Sequence, residues 1–205
     1  MYDSSVTAHE LVTSVAATVN VACELDREFY LGVLSKLEQL LYAEYICDER
    51  LIFAVCEDGE IDLSVAEVPG GERTPRADDV FSVYFGGIPL RRVRLSEAYL
   101  LEPEEGEGGY YRSDEAKISL CLPPEPQNDD IAVFYRAAPR LKIGDGALDP
   151  VALPYEFLPL AEAKLRGEAY KLADDDASAA KWLAEYNALL VSFAEWLRRS
   201  EKGSA

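Results

Sequence analysis

Apolar residues recur at helical spacing near both ends of the chain and alternate through its middle. From Thr7 to about Ala22, the residues Leu11, Val12, Val15, Ala16 and Val19 fall on one side of a helix, a pattern weakened by β-branched valine and threonine. Asp26 stands where an N-cap belongs. Phe29 follows two residues after Arg27, and beyond it Tyr30, Val33, Leu34, Leu37, Leu40, Leu41 and Tyr45 form one stripe opposite Lys36, Glu38 and Glu44, which predicts a second helix ending near Cys47.

The period then changes. Leu51, Phe53 and Val55 oppose Ile52, Ala54 and Cys56, and Ile61, Leu63 and Val65 follow a turn at Asp58 and Gly59, so a hairpin is expected. A loop rich in glycine and proline runs from Val68 to Asp79. Val80 to Phe85 reads as a strand, and Gly86-Gly87 supplies two residues that tolerate positive φ before Ile88, Leu90 and Val93. A short helical excursion at Ser96 to Leu101 leads into an acidic stretch, Glu102 to Gly109, too polar to offset its ordering entropy and expected to be an exposed loop. Two further strands are read at Ile118 to Leu122 and at Ile131 to Arg136, joined through Pro123-Pro124-Glu125-Pro126. Strands linked by short turns cannot make parallel crossovers, so this region is expected to be an antiparallel sheet or sandwich.

After a connector from Pro139 to Pro150, Leu153-Pro154 opens a helix with the stripe Phe157, Ala161, Leu165, Ala169 and Leu172. Asp174-Asp175-Asp176 breaks it and caps the next one, because negative charge is unfavourable at a helix C-terminus and favourable at an N-terminus. The last helix carries two adjacent stripes. One holds Trp182, Tyr186, Leu189, Phe193 and Trp196, and the other Leu183, Leu190, Ala194 and Leu197. A face this wide points to more than one packing surface, the same chain's helices first and a neighbouring subunit second. The predicted architecture is α+β: residues 1–49 and 150–205 form a helical bundle, and residues 50–149 form an inserted antiparallel β domain with the acidic loop at 102–109.

Charge narrows the function classes. With 20 Lys and Arg against 38 Asp and Glu the formal charge is −18, so the chain repels phosphate and gains nothing from counterion release on a nucleic-acid backbone. No apolar run reaches the roughly 18 residues that cross a bilayer, and the first ten positions lack the basic and then apolar blocks of a signal peptide, so a cytoplasmic protein without membrane contact is expected. Cys23, Cys47, Cys56 and Cys121 are widely spaced in apolar or strand-like sequence, which predicts reduced, buried thiols.

Catalytic motifs are sparse. His9 is the only histidine, and no nucleophile elbow, phosphate loop, dinucleotide fingerprint or paired-histidine zinc motif occurs. Asp78-Asp79, Asp129-Asp130 and the Asp174 triplet lack the alternating oxygen spacing of a calcium loop, and Gly144-Asp145-Gly146 to Asp149, which has some of that character, lacks the final bidentate Glu. No catalytic residue, cofactor or metal ligand is therefore assigned. A carboxylate-dependent hydrolase or a sugar-binding module stays open as a minor alternative, because an acid pair leaves no local signature.

The C-terminal segment, with Leu153, Pro154, Phe157, Ala169, Tyr170, Asp175, Ala180, Trp182, Tyr186, Leu190 and Phe193, resembles the closing helices of head-to-tail adaptor (connector or neck) proteins of tailed bacteriophages and prophages. The hairpin from Val83 to Val93 and the strand from Ile131 to Pro139 match the order of elements in such adaptors more loosely. The resemblance implies a non-enzymatic virion protein, assembled in the host cytoplasm. Copies would pack side by side into a dodecameric ring on the portal protein, extend the DNA channel and present a platform for the stopper or tail-completion protein. DNA would slide through the lumen without specific binding. The interface residues so implied are Trp182, Tyr186, Phe193 and Trp196 for helix packing, with Arg198 and Arg199 in the polar end that meets the portal. Another neck or tail-completion part is the alternative within the same class.

Overall fold

The computed structural model describes residues 5–20, 26–68, 72–98, 108–121 and 131–203. The protein is α+β and divides into two compact units, a helical one made of Met1–Ile46 with Ala138–Ala205 and a β unit, Cys47–Ala137. The connector 138–149, expected with the strands, goes with the helices because its hydrogen bonds go there: Val151 N–H donates to the Val6 carbonyl at 2.9 Å, and Ala8 N–H to the Asp149 carbonyl at 3.0 Å.

Helix α1 (Ala8–Ala16) begins with a reciprocal cap, in which Thr7 Oγ1 accepts the Glu10 N–H and Glu10 Oε2 accepts the Thr7 N–H. Such a cap stabilises a helix by about 1 kcal/mol. Asp26 caps α2 (Arg27–Leu41) as its position predicts, accepting the Phe29 N–H at 2.8 Å. A π-helical turn, Tyr42–Ile46, follows, and Cys47 at φ 48° ends it.

The third long helix starts later than Pro154. That proline precedes a single 3-10 turn, Tyr155–Phe157, and α4 (Leu158–Leu172) carries the second proline, Pro159, in its first turn, where a missing N–H leaves no bond unmade. The acid triplet behaves as its charge requires. Asp174 takes a left-handed φ of 57°, and Asp175 Oδ1 accepts the Ser178 N–H at 3.1 Å to start α5 (Asp176–Gly203). That bond holds the Asp175 carboxyl below its ordinary value.

α4 is the central helix of this unit. It buries Leu158, Leu160, Ala161, Ala163, Leu165, Gly167 and Ala169, and it packs on α1 and α2 as well as on α5. Small residues permit this close approach. A Cβ at Gly167 would lie 2.7 Å from the Leu183 side chain of α5.

Glu38 departs from the amphipathic pattern of α2. Its spacing puts it on the polar side, yet it is fully buried, because the connector crosses that side of the helix. Glu38 Oε1 accepts the Ala152 N–H at 2.7 Å, and Oε2 lies 3.8 Å from the buried Lys142 ammonium. Lys142 Nζ donates to the Pro150 carbonyl at 2.8 Å, and the Lys142 N–H donates to Ser35 Oγ at 2.7 Å.

The β unit holds β1 (Glu49–Ala54), β2 (Glu60–Asp62), β3 (Val80–Phe85), β4 (Ile88–Arg92), β5 (Gly109–Arg112), β6 (Lys117–Cys121) and β7 (Ile131–Arg136). The sheet order is β1-β7-β3-β4-β5-β6-β2. Gly86 and Gly87, at φ 54° and 80°, make the predicted two-residue turn and pair Phe85 with Ile88. Pro89 is tolerated because the outward N–H groups of this strand meet β5 only from Arg91 onwards, where Arg91 N–H donates to the Gly108 carbonyl at 3.0 Å.

Three expectations for this region need correction. The sheet is mixed, since β4 and β5 run parallel. The intervening residues 93–108, which include the short helix α3 (Leu95–Ala98), are long enough for a crossover, and β5 itself lacks a clear alternation. The turn at Asp58-Gly59 forms, with φ of 51° and 80°, and Glu57 and Glu60 exchange two backbone hydrogen bonds of 2.9 Å across it, but the pairing of β1 with β2 goes no further. Instead β1 pairs with β7 in register from Glu49↔Arg136 to Ala54↔Ile131, and β2 pairs with β6. β2 also stops at Asp62, whose side chain accepts the Ser64 N–H and turns Leu63–Val65 into a 3-10 helix. Finally, Cys47 is exposed and Cys56 and Cys121 are half-buried, none of them in a disulfide. Glu102 to Glu107, Pro123 to Pro126 and Cys23 lie outside the described residues.

The buried network carries a pH dependence. Burial raises the Glu38 carboxyl from 4.5 to about 7, against the opposing pull of the Lys142 ammonium and the Ala152 N–H. Between those values the folded state holds the proton more tightly than the unfolded chain, so the stability contributed by Glu38 is present at low pH and is lost as pH rises to about 7. In urea titrations the unfolding free energy should fall by about 3 kcal/mol more between about pH 4.5 and pH 7 in the native sequence than in Glu38→Gln. Equal slopes would show that the carboxyl titrates normally.

Candidate interaction surfaces

The residues singled out on the last helix occupy three different environments. Phe193 is fully buried and Tyr186 nearly so, both in the helical unit's own core. The Phe193 ring stacks on Trp196 with centroids 6.2 Å apart, and Phe157 meets both edge-on at 5.0 and 5.4 Å. Trp182 and Trp196 are half-buried at the margin of that core. The Arg166 guanidinium lies 4.9 Å over the Trp182 ring, and the Lys164 ammonium lies 5.1 Å over Tyr186. These cations shield aromatic surface that would otherwise face water.

The same chain thus covers most of the wide apolar face. α4 and α5 run antiparallel, with Gly167 beside Leu183 and Phe157 beside Phe193, so α5 outlasts the 3-10 turn before α4 at about Leu197. From there α5 runs on to Gly203, about 9 Å further along its axis. Arg198 and Arg199 are exposed on this last stretch, and Arg199 reaches Glu195 one turn earlier at 3.3 Å.

A second surface lies in the β unit. β1 and β2 are the two ends of the strand order, and both line one groove of about 810 Å³, so the sheet curls until its free edges approach each other. The floor of this seam includes Leu51, Phe53, Val55 and Val65, with Phe53 73% and Val55 and Val65 77% exposed. Glu57, Asp58, Glu60, Asp62 and Glu67 line it against Lys117 alone among the cations, and Lys117 pairs with Glu60 at 3.6 Å. Sequence reasoning missed this surface although its signal was present. A strand apolar on both faces, as residues 51–56 are, needs a cover on both, and Ile52 and Ala54 face the β core while Leu51 and Phe53 face water.

Elsewhere in the β unit the buried Glu72 carboxylate gathers a cluster of partly exposed ionic groups. Tyr135 on β7 donates to Glu72 Oε2 at 3.4 Å, Arg50 Nε lies 3.4 Å from Glu72 Oε1, and Arg50 also pairs with Asp48 at 2.8 Å. Burial, and then the neighbouring Glu72 carboxylate, pushes the Tyr135 phenol up to about 12, so it acts as a fixed donor. This cluster pins the segment entering β3 to strands β1 and β7. Among the described residues, no three His, Cys, Asp or Glu side chains gather as a metal site, and no helix is long and apolar enough to cross a membrane.

No family model and no curated protein matches the sequence.

The two kinds of residue at the end of α5 should separate in a stability measurement. Trp196→Ala removes a ring packed on two others and is expected to lower the unfolding free energy by about 3 kcal/mol. Arg198→Ala with Arg199→Ala should change it by less than about 0.5 kcal/mol, since neither side chain is covered. Chemical denaturation followed by tryptophan fluorescence or circular dichroism reads both, and a large loss in the arginine pair would assign them to the core.

Proposed function

We propose that this chain is a structural subunit of a bacteriophage or prophage neck, one copy of a head-to-tail adaptor ring that docks on the portal protein and connects the head to the stopper or tail. The observation that carries the reading is the C-terminal hairpin. Its sequence resembles that of the adaptor family, and its acid triplet forms the break and cap between two antiparallel helices. The exposed Arg198 and Arg199 near the end of α5 support an interface role, because exposed charges add little to the helical unit's own stability. The formal charge of −18 fits a channel through which DNA slides without adhering, since an acidic lumen repels the phosphate backbone. Function on this reading resides in docking surfaces and not in turnover.

Light scattering of the purified chain, alone and mixed with rings of the portal protein encoded in the same genome, tests the proposal. Binding of several copies per portal ring is expected, and a chain that never engages the portal overturns it. Deleting Arg198 to Ala205 should leave the folded core intact and weaken portal binding at least about tenfold, or about 1.4 kcal/mol. Unchanged docking would remove the α5 end from the interface.

A further inference from the structure

We propose that the groove between β1 and β2 takes up an extended segment of another protein, one in which Lys or Arg alternates with apolar residues, as an added strand across the open seam of the sheet. The inference goes beyond the portal reading and does not depend on it, since the groove lies in the β unit and the portal contact is placed at the end of α5.

Backbone geometry makes the groove a strand site. Ala137 N–H donates to the Asp48 carbonyl at 2.8 Å, and the register of β1 on β7 then makes Arg50, Ile52 and Ala54 the bonded positions of β1. The N–H and C=O groups of Leu51 and Phe53 therefore point away from β7. On β2, the Leu120 N–H donates to the Gly59 carbonyl and the Leu63 N–H to the Ala116 carbonyl, both at 2.8 Å, so Ile61 bonds β6 while the backbone groups of Glu60 and Asp62 point away from it. Glu57 and Glu60 exchange two bonds of 2.9 Å, and the pairing stops there. The hairpin is thus a fork, joined at its turn and open beyond it. Leu51 and Phe53 on one prong and Asp62 on the other turn unpaired strand edges towards the space between, and such edges are templates for an incoming strand.

Side chains define the guest. Ile52 and Ala54 pack against the β core but are only half-buried, whereas Val83 and Val133 in the middle of the sheet are fully buried. The core is therefore incompletely covered along the seam, and alternate residues of an added strand would lie over it, which calls for apolar ones there. On the outer face Phe53 and Val55, 73% and 77% exposed, stand on the β1 side, and Glu60 and Asp62 stand on the β2 side. Glu57, Asp58 and Glu67 extend the acidic rim, and Lys117 is the only cation lining the groove among the described residues. The outward positions of the guest thus meet apolar surface on one flank and carboxylates on the other. Lys and Arg suit both, because their stems cover apolar side chains while their heads reach the acids, and an acidic guest is repelled.

The test uses the full-length protein and fluorescein-labelled synthetic peptides, read by fluorescence anisotropy. A peptide in which Lys alternates with Val or Ile should bind saturably. One of the same composition, with its lysines and its apolar residues grouped in two blocks, should bind at least about tenfold more weakly. Methylating alternate backbone amides of the first peptide removes strand hydrogen bonds and keeps the charge, and it should weaken binding at least about tenfold. Phe53→Lys with Glu57→Lys changes two exposed positions of the groove; circular dichroism unfolding curves should stay those of the native sequence, while the alternating peptide binds at least about tenfold more weakly. Equal binding of the alternating and block peptides, or indifference to methylation, would show that the acids hold cations without forming a strand, and would overturn the proposal. Absence of saturable binding also overturns it. Self-association in sedimentation velocity that the alternating peptide disperses would assign the groove to a second copy of this chain, and the proposal would fail. Portal binding, measured separately, reports on the adaptor reading whichever way this result falls.

Discussion

The Glu38 carboxyl accepts the Ala152 N–H and faces the Lys142 ammonium in a site closed to water, and the course of the chain through the helical unit depends on that arrangement. A buried charge is tolerated only when its partners are fixed, and removing one partner of such a pair typically costs 3–5 kcal/mol, so these contacts dictate where the connector crosses α2. Lys142 is held from its backbone by Ser35 and from its ammonium by Pro150. Between them Gly146 packs so closely on the Leu141 carbonyl that no side chain fits. The strap thus tied delivers Leu153, fully buried, to the start of α4. Helices from the two ends of the sequence share one core because a polar network, and not the β insertion, sets the point of return.

The β unit is organised by an opposite circumstance, a sheet that curls without closing. β7 supplies the long central pairings to β1 and β3, while β2 ends after three residues because Asp62 bonds the Ser64 N–H in place of continuing the ladder. Among the described residues, the edges that remain are joined only by the Glu57–Glu60 bridge that closes the turn between them. Leu51 and Phe53 point outwards from β1, 44% and 73% exposed. An edge of this kind, exposed and apolar, is an association site unless it is guarded, and the carboxylates around it restrict which partners can approach.

Where a fold feature is set by neighbouring residues, it was legible in the sequence. The caps at Thr7, Asp26 and Asp175 and the Gly86-Gly87 turn each follow from a side chain or a φ value that few other residues supply. Where it is set by distant residues, the pattern misled. Alternation at 51–56 and 61–65 tells which residues share a face but not which strand lies alongside, so adjacency in sequence was read as pairing. Glu38 looked like a solvated position because helical spacing cannot see a strap arriving from more than a hundred residues away. The wide apolar face of α5 was assigned first to helices of the same chain, and α4 covers much of it, with the cations of α4 over the rings of α5. The seam escaped notice because its apolar side chains are consistent with an ordinary core strand until the strand order is known.

The sparsity of cations gives the surface charge a direction. Beyond about 8 Å at physiological ionic strength, two copies of a −18 chain feel only a screened repulsion, so association depends on what the copies present at contact. Most pairs of facing patches then set carboxylate against carboxylate and are rejected. The arginines of β4 and those at the end of α5 are among the few places where an acidic surface can be met without that penalty. On the reading proposed here the arginines at the end of α5 meet the portal. Specificity in such a protein comes less from strong contacts than from repulsion everywhere else, and like-charge juxtaposition, costing several kcal/mol per misplaced interface, is sufficient to select the orientation.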